Sequence, residues 1–358
     1  MPQTSTLRAA YPWTKSPLLA CAPMLNIATP SLAISVSAAG GLGFLAAGYD
    51  VSNLEQNLNE VSHLVKTSPN TSLQAYHTEK GVLPIGVGFL IWGADLHASL
   101  AAIKSNPPVA VWLFAPSAQP DDLRPWADRI RAVSAGRTAI WAQVGTVAEA
   151  LAVSEAICPD VLVVQGCDAG GHGLARSASV LTLVPEVTDA LRERGDRLGD
   201  IPVLAAGGIV DGRGLAASLA LGARGVVLGT RFLAANEATL ARGYRDRVLG
   251  AADGGVCTAR STVYDRVRGI NGWPGRYDGR GVINESYVDA VERGMSDEEN
   301  KRLYEDELKK GDAGWAPEGR LTTYAGTGVG LVREAMPAAD IVESVLLEAK
   351  NVLASCAK

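Results

Sequence analysis

Short apolar runs rich in branched residues occur eight times in the first 230 residues, and segments with helical periodicity lie between them. The helix-like segments include residues 122–136, 146–157 and 212–223, the last of which ends at Gly222. Eight strand-then-helix units within about 215 residues predict a (β/α)8 barrel, which is an α/β fold. The candidate strands are residues 18–24, 42–47, 84–91, 109–115, 138–144, 160–166, 201–208 and 224–230.

The candidate strands are apolar on both faces, which is typical of parallel strands that are covered by helices. An open, doubly wound parallel sheet has the same pattern. Periodicity alone therefore leaves the doubly wound sheet as the alternative fold.

The regular alternation of strands and helices ends after residue 230. Residues 268–284 have the composition of a loop, residues 296–312 form a charge-rich helix with a solvated face, and residues 338–354 form an amphipathic closing helix. We therefore expect a barrel domain over residues 1–235. We expect residues 236–358 to be a C-terminal elaboration that packs on the barrel as a cap over its mouth.

The composition argues against several classes of protein. With 358 residues, of which 47% are apolar and 20% charged, the chain is typical of a globular protein. Its 33 basic and 38 acidic residues are well mixed, which argues against nucleic acid or an anionic membrane as a partner. Residues 16–49 carry no charge, but their glycines, serines, alanines and prolines fit a buried strand, helix and strand better than a membrane span.

The five cysteines form no CxxC pair and have no metal-ligand spacing. A chain of this length needs no disulfides to stabilise its core, so we interpret the cysteines as reduced thiols of a cytoplasmic protein. The first residues lack the apolar stretch of a signal peptide. The sequence does not define the oligomeric state, and a homodimer is compatible with it.

Glycine-containing turns follow the seventh and eighth candidate strands, where (β/α)8 barrels often bind phosphate. Gly207 and Gly208 have no side chain to keep a phosphate from their amides, and a helix that begins near Asp211 points its positive end to the same place. Gly229 offers similar access, and Thr230 adds a hydroxyl. The two turns predict a ligand that carries a phosphate, although ordinary tight turns have the same composition.

One of the four histidines, His172, lies in the sequence QGCDAGGHG directly after the sixth candidate strand. This position belongs to the catalytic face of a barrel, and imidazole exchanges protons near neutral pH. Gly170 and Gly171 let the backbone approach a flat ligand, because side chains there would collide with it. A lone histidine in a loop is more often structural, but its place opposite the phosphate turns favours His172 as a general base.

The other candidate residues carry weaker signals. His63 and His97 lie in helix-like segments and His77 lies in a polar connection, so no metal site is indicated. No GxSxG or Walker-type motif occurs, which argues against acyl-serine hydrolysis and nucleoside triphosphate chemistry. Pro23 fixes the turn after the first strand, so that the Met24 N–H could point at a ring nitrogen; core packing explains Met24 equally well.

These motifs together resemble the nitronate monooxygenase family, formerly called 2-nitropropane dioxygenases, whose members are FMN-dependent (β/α)8 barrels. The resemblance covers nearly the whole chain, and the tail is similar to that of fungal-type members. The matching sequences are APM (22–24), AAGGLGFLAAG (38–48), QGCDAGGHG (165–173), AAGGI (205–209), LGTRF (228–232), WPGRYDGRGVINESY (273–287) and YAGTGVGLV (324–332).

The resemblance implies FMN as a cofactor bound by the barrel of residues 1–235, and His172 as the base that takes the α-proton of a neutral nitroalkane. It further implies that the nitronate gives an electron to the flavin and that oxygen completes the conversion to a carbonyl compound and nitrite. A small-molecule substrate and O2 are therefore the expected partners. The implied flavin contacts are Ala22, Pro23 and Met24 along the isoalloxazine, Gln165 and Gly170 near the ring or ribityl chain, and Gly207, Gly208, Gly229 and Thr230 on the phosphate.

Other reactions on the same barrel stay open. A flavin enoyl reductase shares the APM, GGH and GG signatures, but the tail with WPGRYDGR argues against this enzyme. The further alternatives are an NAD(P)H:quinone reductase, a specialised oxidative step in a biosynthetic pathway, and a binding protein that keeps flavin as a structural ligand.

Two positions depart from the family pattern. Asp168 stands where the family usually has Glu, and Thr327 stands where it often has Gln. Either change could alter the substrate. Three arginines of the tail, Arg260, Arg266 and Arg276, could meet a substrate carboxylate.

Overall fold

The computed structural model of this protein describes residues 4–118 and 120–356. Its strands in these residues are β1 (Leu18–Cys21), β2 (Phe44–Gly48), β3 (Leu83–Leu90), β4 (Pro108–Phe114), β5 (Ala139–Val144), β6 (Val161–Gln165), β7 (Gly171–Leu174), β8 (Val203–Ala206), β9 (Gly225–Leu228), β10 (Thr258–Ser261) and β11 (Tyr277–Val282).

Eight of these strands form a closed parallel barrel in the order β1-β9-β8-β6-β5-β4-β3-β2. The two ends of the sheet meet beside β1. There the Cys21 N–H donates to the Leu42 carbonyl at 3.0 Å, and the Leu42 N–H donates to the Leu19 carbonyl at 2.9 Å. This closure confirms the (β/α)8 barrel over the doubly wound sheet, and each barrel strand overlaps one of the eight candidate runs.

Helices cover the barrel and build most of the tail. Along the barrel they are α1 (Thr4–Ala10), α2 (Pro30–Ala38), α3 (Leu54–Thr67), α4 (Thr71–Lys80), α5 (Leu96–Ser105), α6 (Leu123–Val133), α7 (Val147–Ile157), α8 (Val180–Glu193), α9 (Asp196–Gly199) and α10 (Gly212–Ala220). After the last barrel strand they are α11 (Arg242–Gly250), α12 (Gly254–Cys257), α13 (Val263–Arg266), α14 (Glu285–Val291), α15 (Asp297–Leu308) and α16 (Ala338–Cys356), with 3-10 helices over Thr230–Ala234, Gly311–Trp315 and Thr327–Leu331.

The barrel strands send alternate side chains to two cores, as the two-residue period of a strand requires. The larger core lies between the strands and the surrounding helices. The other core fills the inside of the barrel with large rings, including Phe44, Trp112 and Trp141. The Trp141 indole donates to the Tyr11 hydroxyl at 2.8 Å, which joins the chain before β1 to this inner core.

A second, antiparallel sheet in the order β10-β11-β7 joins the loop after β6 to the tail. The prediction that residues 268–284 form a loop is therefore wrong over Tyr277–Val282. The sequence did not indicate this strand because it contains two glycines, Gly279 and Gly281. Glycine is depleted in strands and contributes no apolar side chain. The packing nevertheless requires one of them, since a Cβ on Gly279 would lie 2.7 Å from the Tyr324 ring.

The helices predicted in residues 296–312 and 338–354 are confirmed as α15 and α16. The prediction that His77 lies in a polar connection is wrong, because His77 lies in α4. That helix begins where the Asn70 side chain accepts hydrogen bonds from the N–H groups of Ser72 and Leu73. α16 packs against α10 and α2 on the outside of the barrel. The division of the chain at residue 235 stays a prediction.

Within residues 4–118 and 120–356, every helix is too short or too polar to cross a membrane. The cytoplasmic location and the homodimer stay predictions.

Candidate active site

A cavity of about 420 Å³ opens at the carboxyl ends of the barrel strands. Barrel residues line one side of this cavity, and tail residues such as Arg268, Trp273 and Tyr324 line the other. The cavity brings together His172 and all the residues that the sequence analysis assigned to a cofactor. These residues are Ala22, Pro23, Met24, Gln165, Gly170, Gly207, Gly208, Gly229 and Thr230.

His172 lies on β7 at the edge of the cavity, and two neighbours orient its ring. Its Nε2 lies 2.8 Å from Oδ2 and 3.0 Å from Oδ1 of Asp265. The indole of Trp273 stacks on the imidazole, with the ring centroids 3.7 Å apart and the planes 4° apart. The backbone of His172 is held as well, because β7 pairs with β11 opposite Gly279 and the Gln165 amide donates to the His172 carbonyl at 3.2 Å.

Asp265 comes from α13 in the tail, 93 positions after His172, and is 5% exposed. The Tyr324 hydroxyl donates to Oδ1 of Asp265 at 3.1 Å. Burial and the adjacent carboxylate of Asp265 raise the pKa of Tyr324 well above its usual value, so that the phenol keeps its proton. Asp265 was not predicted from the sequence. Trp273 and Tyr324 lie in motifs that carry the family resemblance, but no role was predicted for either.

The glycines around the loop after β6 also serve the packing of the protein on itself. A Cβ on Gly170 would lie 2.3 Å from the amide nitrogen of Gly326, and Gly171 has a φ of +68°. At Gly208 the φ is +74°, and a Cβ would lie 2.9 Å from the Cβ of Asp168. These positions require glycine for close approach or for backbone conformation, with or without a ligand.

The two positions that depart from the family pattern contact each other. The Thr327 hydroxyl donates to Oδ1 of Asp168 at 3.1 Å, and the Thr327 N–H donates to the Asp168 carbonyl at 3.0 Å. Beside them, the Gly326 N–H donates to the hydroxyl oxygen of Thr230 at 3.0 Å. The tail is therefore bonded to the loop after β6 and to the turn after β9.

The sequence profile described as Nitronate monooxygenase matches residues 11–80 and 122–348 of this chain. The matched segments include both His172 and Asp265. The chain belongs to the nitronate monooxygenase family. It is an oxidoreductase, as the names of its relatives also indicate.

Two fungal members of the nitronate monooxygenase family are similar to this chain over nearly its whole length. Nitronate monooxygenase npaC of Metarhizium robertsii is 46% identical over 351 residues, which are 98% of this chain and 95% of that protein. A nitronate monooxygenase of Neurospora crassa is 38% identical and matches 96% of this chain and 92% of its own length. The resemblance to fungal-type members is confirmed.

Solved structures share the fold of this nitronate monooxygenase family member. The nitroalkane oxidase of Streptomyces ansochromogenes superposes with a TM-score of 0.73 at 24% identity and covers 98% of this chain and 99% of that chain. FabK of Thermotoga maritima superposes with a TM-score of 0.71 at 23% identity and covers 98% of this chain and 97% of that chain.

Membership of the nitronate monooxygenase family implies a flavin, and the cavity has features that fit one. Gln143 on β5 lines the cavity and is 8% exposed. Its Oε1 accepts from the Trp112 indole at 3.1 Å, but its buried Nε2 has no hydrogen-bond partner among the described residues. An unpaired buried donor costs about 1–3 kcal/mol, which an acceptor on a bound ring would offset. At Gly229 a Cβ would meet only Ala22, at 3.7 Å, so a phosphate can approach this turn.

Gln143 was not predicted from the sequence, although a glutamine inside the apolar strand AIWAQV was a usable signal. The three tail arginines that could meet a substrate carboxylate do not line the cavity: Arg260 and Arg266 pair with aspartates, and Arg276 donates to a backbone carbonyl. Among the described residues, Arg268 is the only arginine or lysine that lines the cavity.

Proposed function

We propose that this protein is an FMN-dependent nitronate monooxygenase that oxidises alkyl nitronates and nitroalkanes with O2 to a carbonyl compound and nitrite. In this proposal His172 is the base that takes the α-proton of the nitroalkane. The observation that carries the proposal is the imidazole of His172 at the cavity, held by Asp265 and Trp273. The names of the fungal relatives support nitronates as the substrate class.

His172 suits the removal of a proton from a weakly acidic carbon. A neutral imidazole accepts a proton near neutral pH, and burial among the rings of Trp273 and Tyr324 limits competing water. The substrate would lie between this base and the barrel side of the cavity.

FMN, when bound, supplies the redox chemistry that links the nitronate to O2. We assign Gln143 to the flavin ring as a side-chain donor, in addition to the residues that the family resemblance implies. Those residues are Ala22, Pro23 and Met24 for the isoalloxazine, Gln165 and Gly170 for the ring or ribityl chain, and Gly207, Gly208, Gly229 and Thr230 for the phosphate.

Arg268 gives the cavity a positive charge on its tail side. Its guanidinium carbon lies 5.6 Å from the centroid of the Tyr324 ring, and Tyr324 in turn contacts the carboxylate that holds His172. A nitronate is an anion, so we assign Arg268 to its binding.

Anaerobic mixing with ethylnitronate, and separately with NADPH and NADH, tests the proposed reaction when the absorbance of bound flavin is followed. We expect ethylnitronate to bleach the flavin and both nicotinamides to leave it oxidised. Bleaching by a nicotinamide alone would assign the protein to a reductase branch. A colourless protein that takes up no added FMN would contradict the flavin assignment.

A further inference from the structure

We infer that Asp265 is a positioning residue whose carboxylate holds His172 in the Nε2–H tautomer and thereby makes Nδ1 the atom that takes the proton. This inference rests on the proposed function of His172 as the base. The contact is close and dry, because the two side chains are 12% and 7% exposed and Nε2 lies 2.8 Å from Oδ2.

The donor and acceptor roles follow from the chemistry of the two groups. An ionised carboxylate accepts hydrogen bonds and donates none, so the ring nitrogen that faces Asp265 carries a hydrogen. In a neutral imidazole the other nitrogen then keeps its lone pair. Nδ1 of His172 has no hydrogen-bond partner among the described residues, and His172 lines the cavity. Nδ1 is therefore the nitrogen that can meet a substrate.

The carboxylate of Asp265 is itself fixed in place. The Tyr324 hydroxyl donates to Oδ1 at 3.1 Å. The N–H groups of Arg268 and Ile270 both donate to the Asp265 carbonyl at 3.0 Å, which closes the backbone after α13. A carboxylate held by a side chain and by its own backbone can fix the orientation of the ring that it contacts.

The proton transfer balances on these groups. The α C–H bond of the nitroalkane breaks, its electron pair stays on the substrate as the nitronate, and the proton forms an N–H bond at Nδ1 of His172. The ring becomes an imidazolium, which faces the Asp265 carboxylate and the Trp273 indole. Both contacts are stronger with the charged ring than with the neutral one. They offset the repulsion from the Arg268 guanidinium on the same side of the cavity.

The tautomer can be measured without turnover. FMN-loaded protein labelled with 15N-histidine contains four imidazoles, and the signals of His172 are those that disappear in His172→Asn. We expect the neutral ring of His172 to have a protonated Nε2 and an unprotonated Nδ1. A protonated Nδ1 in the wild-type protein would overturn the inference.

Substitution of Asp265 supplies the kinetic test. The amide of Asp265→Asn can donate to Nε2, which favours the Nδ1–H tautomer. We expect the 15N signals to exchange and the turnover of neutral nitroethane to fall by about 10²–10⁴-fold, while preformed ethylnitronate reacts nearly as in the wild type. Asp265→Glu should restore part of the nitroethane turnover. Asp297→Asn, which removes a surface pair with Arg266, is the matched control and should change neither substrate.

Equal losses on both substrates, or an unchanged tautomer in Asp265→Asn, would overturn the positioning role. If Asp265→Asn does not fold, the wild-type tautomer and the ratio of nitroethane to ethylnitronate turnover in Asp265→Glu decide the question. Failure of the proposed function has a different signature: the wild-type protein would then not turn over nitroethane, or His172→Asn would keep that turnover, and neither result depends on the residue at position 265.

Discussion

At the scale of single residues, the chemistry of the cavity depends on what each side chain contacts. A free imidazole in water has neither a fixed tautomer nor a fixed direction. In this protein the ring of His172 lies between the Asp265 carboxylate and the Trp273 indole, and its backbone is bonded to β11. Position also distinguishes Arg268 from three other arginines of the tail. Arg268 lines the cavity, whereas the other three make their contacts outside it.

We predict that His172→Asn keeps FMN but loses about 10²–10⁴-fold in the turnover of neutral nitroethane, since an amide takes up no proton near neutral pH. Preformed ethylnitronate needs no base and should still react. Steady-state assays on both substrates measure the difference. His97→Asn, on the exposed surface of α5, is the control. Equal loss on the two substrates would contradict the assignment of the base.

We predict that Arg268→Gln raises the KM for ethylnitronate about tenfold and changes the KM for neutral nitroethane much less. The physical reason is the loss of one charge-assisted hydrogen bond to the anion, worth about 1.5–3 kcal/mol before water replaces it. Arg266→Gln removes an arginine of the same segment that pairs with Asp297 at the surface, and it should leave both KM values unchanged. A similar KM change for both substrates would mean that Arg268 has only a structural role.

At the scale of elements, the short strand β7 and short elements of the tail position His172 and Asp265. β7 has four residues and is held by its pairing with β11, which in turn pairs with β10. The segment that leads to Tyr324 is attached to α14 by a buried cluster. In this cluster Asp289, which is 3% exposed, accepts hydrogen bonds from Arg320 and from Arg293, the latter at 2.6 Å.

The pH dependence of stability follows from this cluster. Burial raises the pKa of Asp289, but the hydrogen bonds from Arg320 and Arg293 outweigh burial and hold the pKa below its usual value. A carboxyl group with a lowered folded-state pKa stabilises the protein above its unfolded pKa of about 3.9, and this contribution is lost as the pH falls through the folded pKa.

We therefore predict that Asp289→Asn lowers the free energy of unfolding by about 2–4 kcal/mol at pH 7, and that the difference shrinks below about pH 4. Urea unfolding of both proteins at the two pH values measures this change. Asp306→Asn, in an exposed ion pair of α15, should have little effect at either pH. A difference that is the same at both pH values would show that the charge of Asp289 does not contribute.

At the scale of the whole molecule, the barrel and the tail build one site. The barrel supplies the turns after β8 and β9 and the floor around Gln143, whereas the tail supplies Asp265, Arg268 and Trp273. The two parts meet at Gly170 and Gly326, whose backbones are too close for any side chain between them.

We predict that Gly170→Ala lowers the free energy of unfolding by about 1–3 kcal/mol and weakens both flavin binding and nitroethane turnover. The added Cβ would lie 2.3 Å from the Gly326 nitrogen, so the tail has to move away from the loop that carries His172. Gly250→Ala is the control, because nothing lies within 4 Å of its added Cβ. Wild-type activity in Gly170→Ala would contradict the coupling of tail and barrel.

The barrel and the residues on the barrel side of the cavity were predictable from the sequence, and the closure of the sheet beside β1 then excluded the doubly wound alternative. Strand and helix periods are local properties, and the turns that carry Gly207, Gly208, Gly229 and Thr230 follow directly from strand order in such a fold. His172 was identifiable for the same reason, because it follows β6 within a family motif.

The residues that face this histidine were not predictable from the sequence, because folding brings them together from distant positions. Asp265 meets His172 because β11 pairs with β7 and because α13 packs beside Tyr324, and these contacts join positions about 60 to 110 residues apart. Such pairings depend on long-range packing and leave no period or spacing in the local sequence. The same holds for Arg268, because its place at the cavity beside Tyr324, and not its local sequence, distinguishes it from the neighbouring arginines.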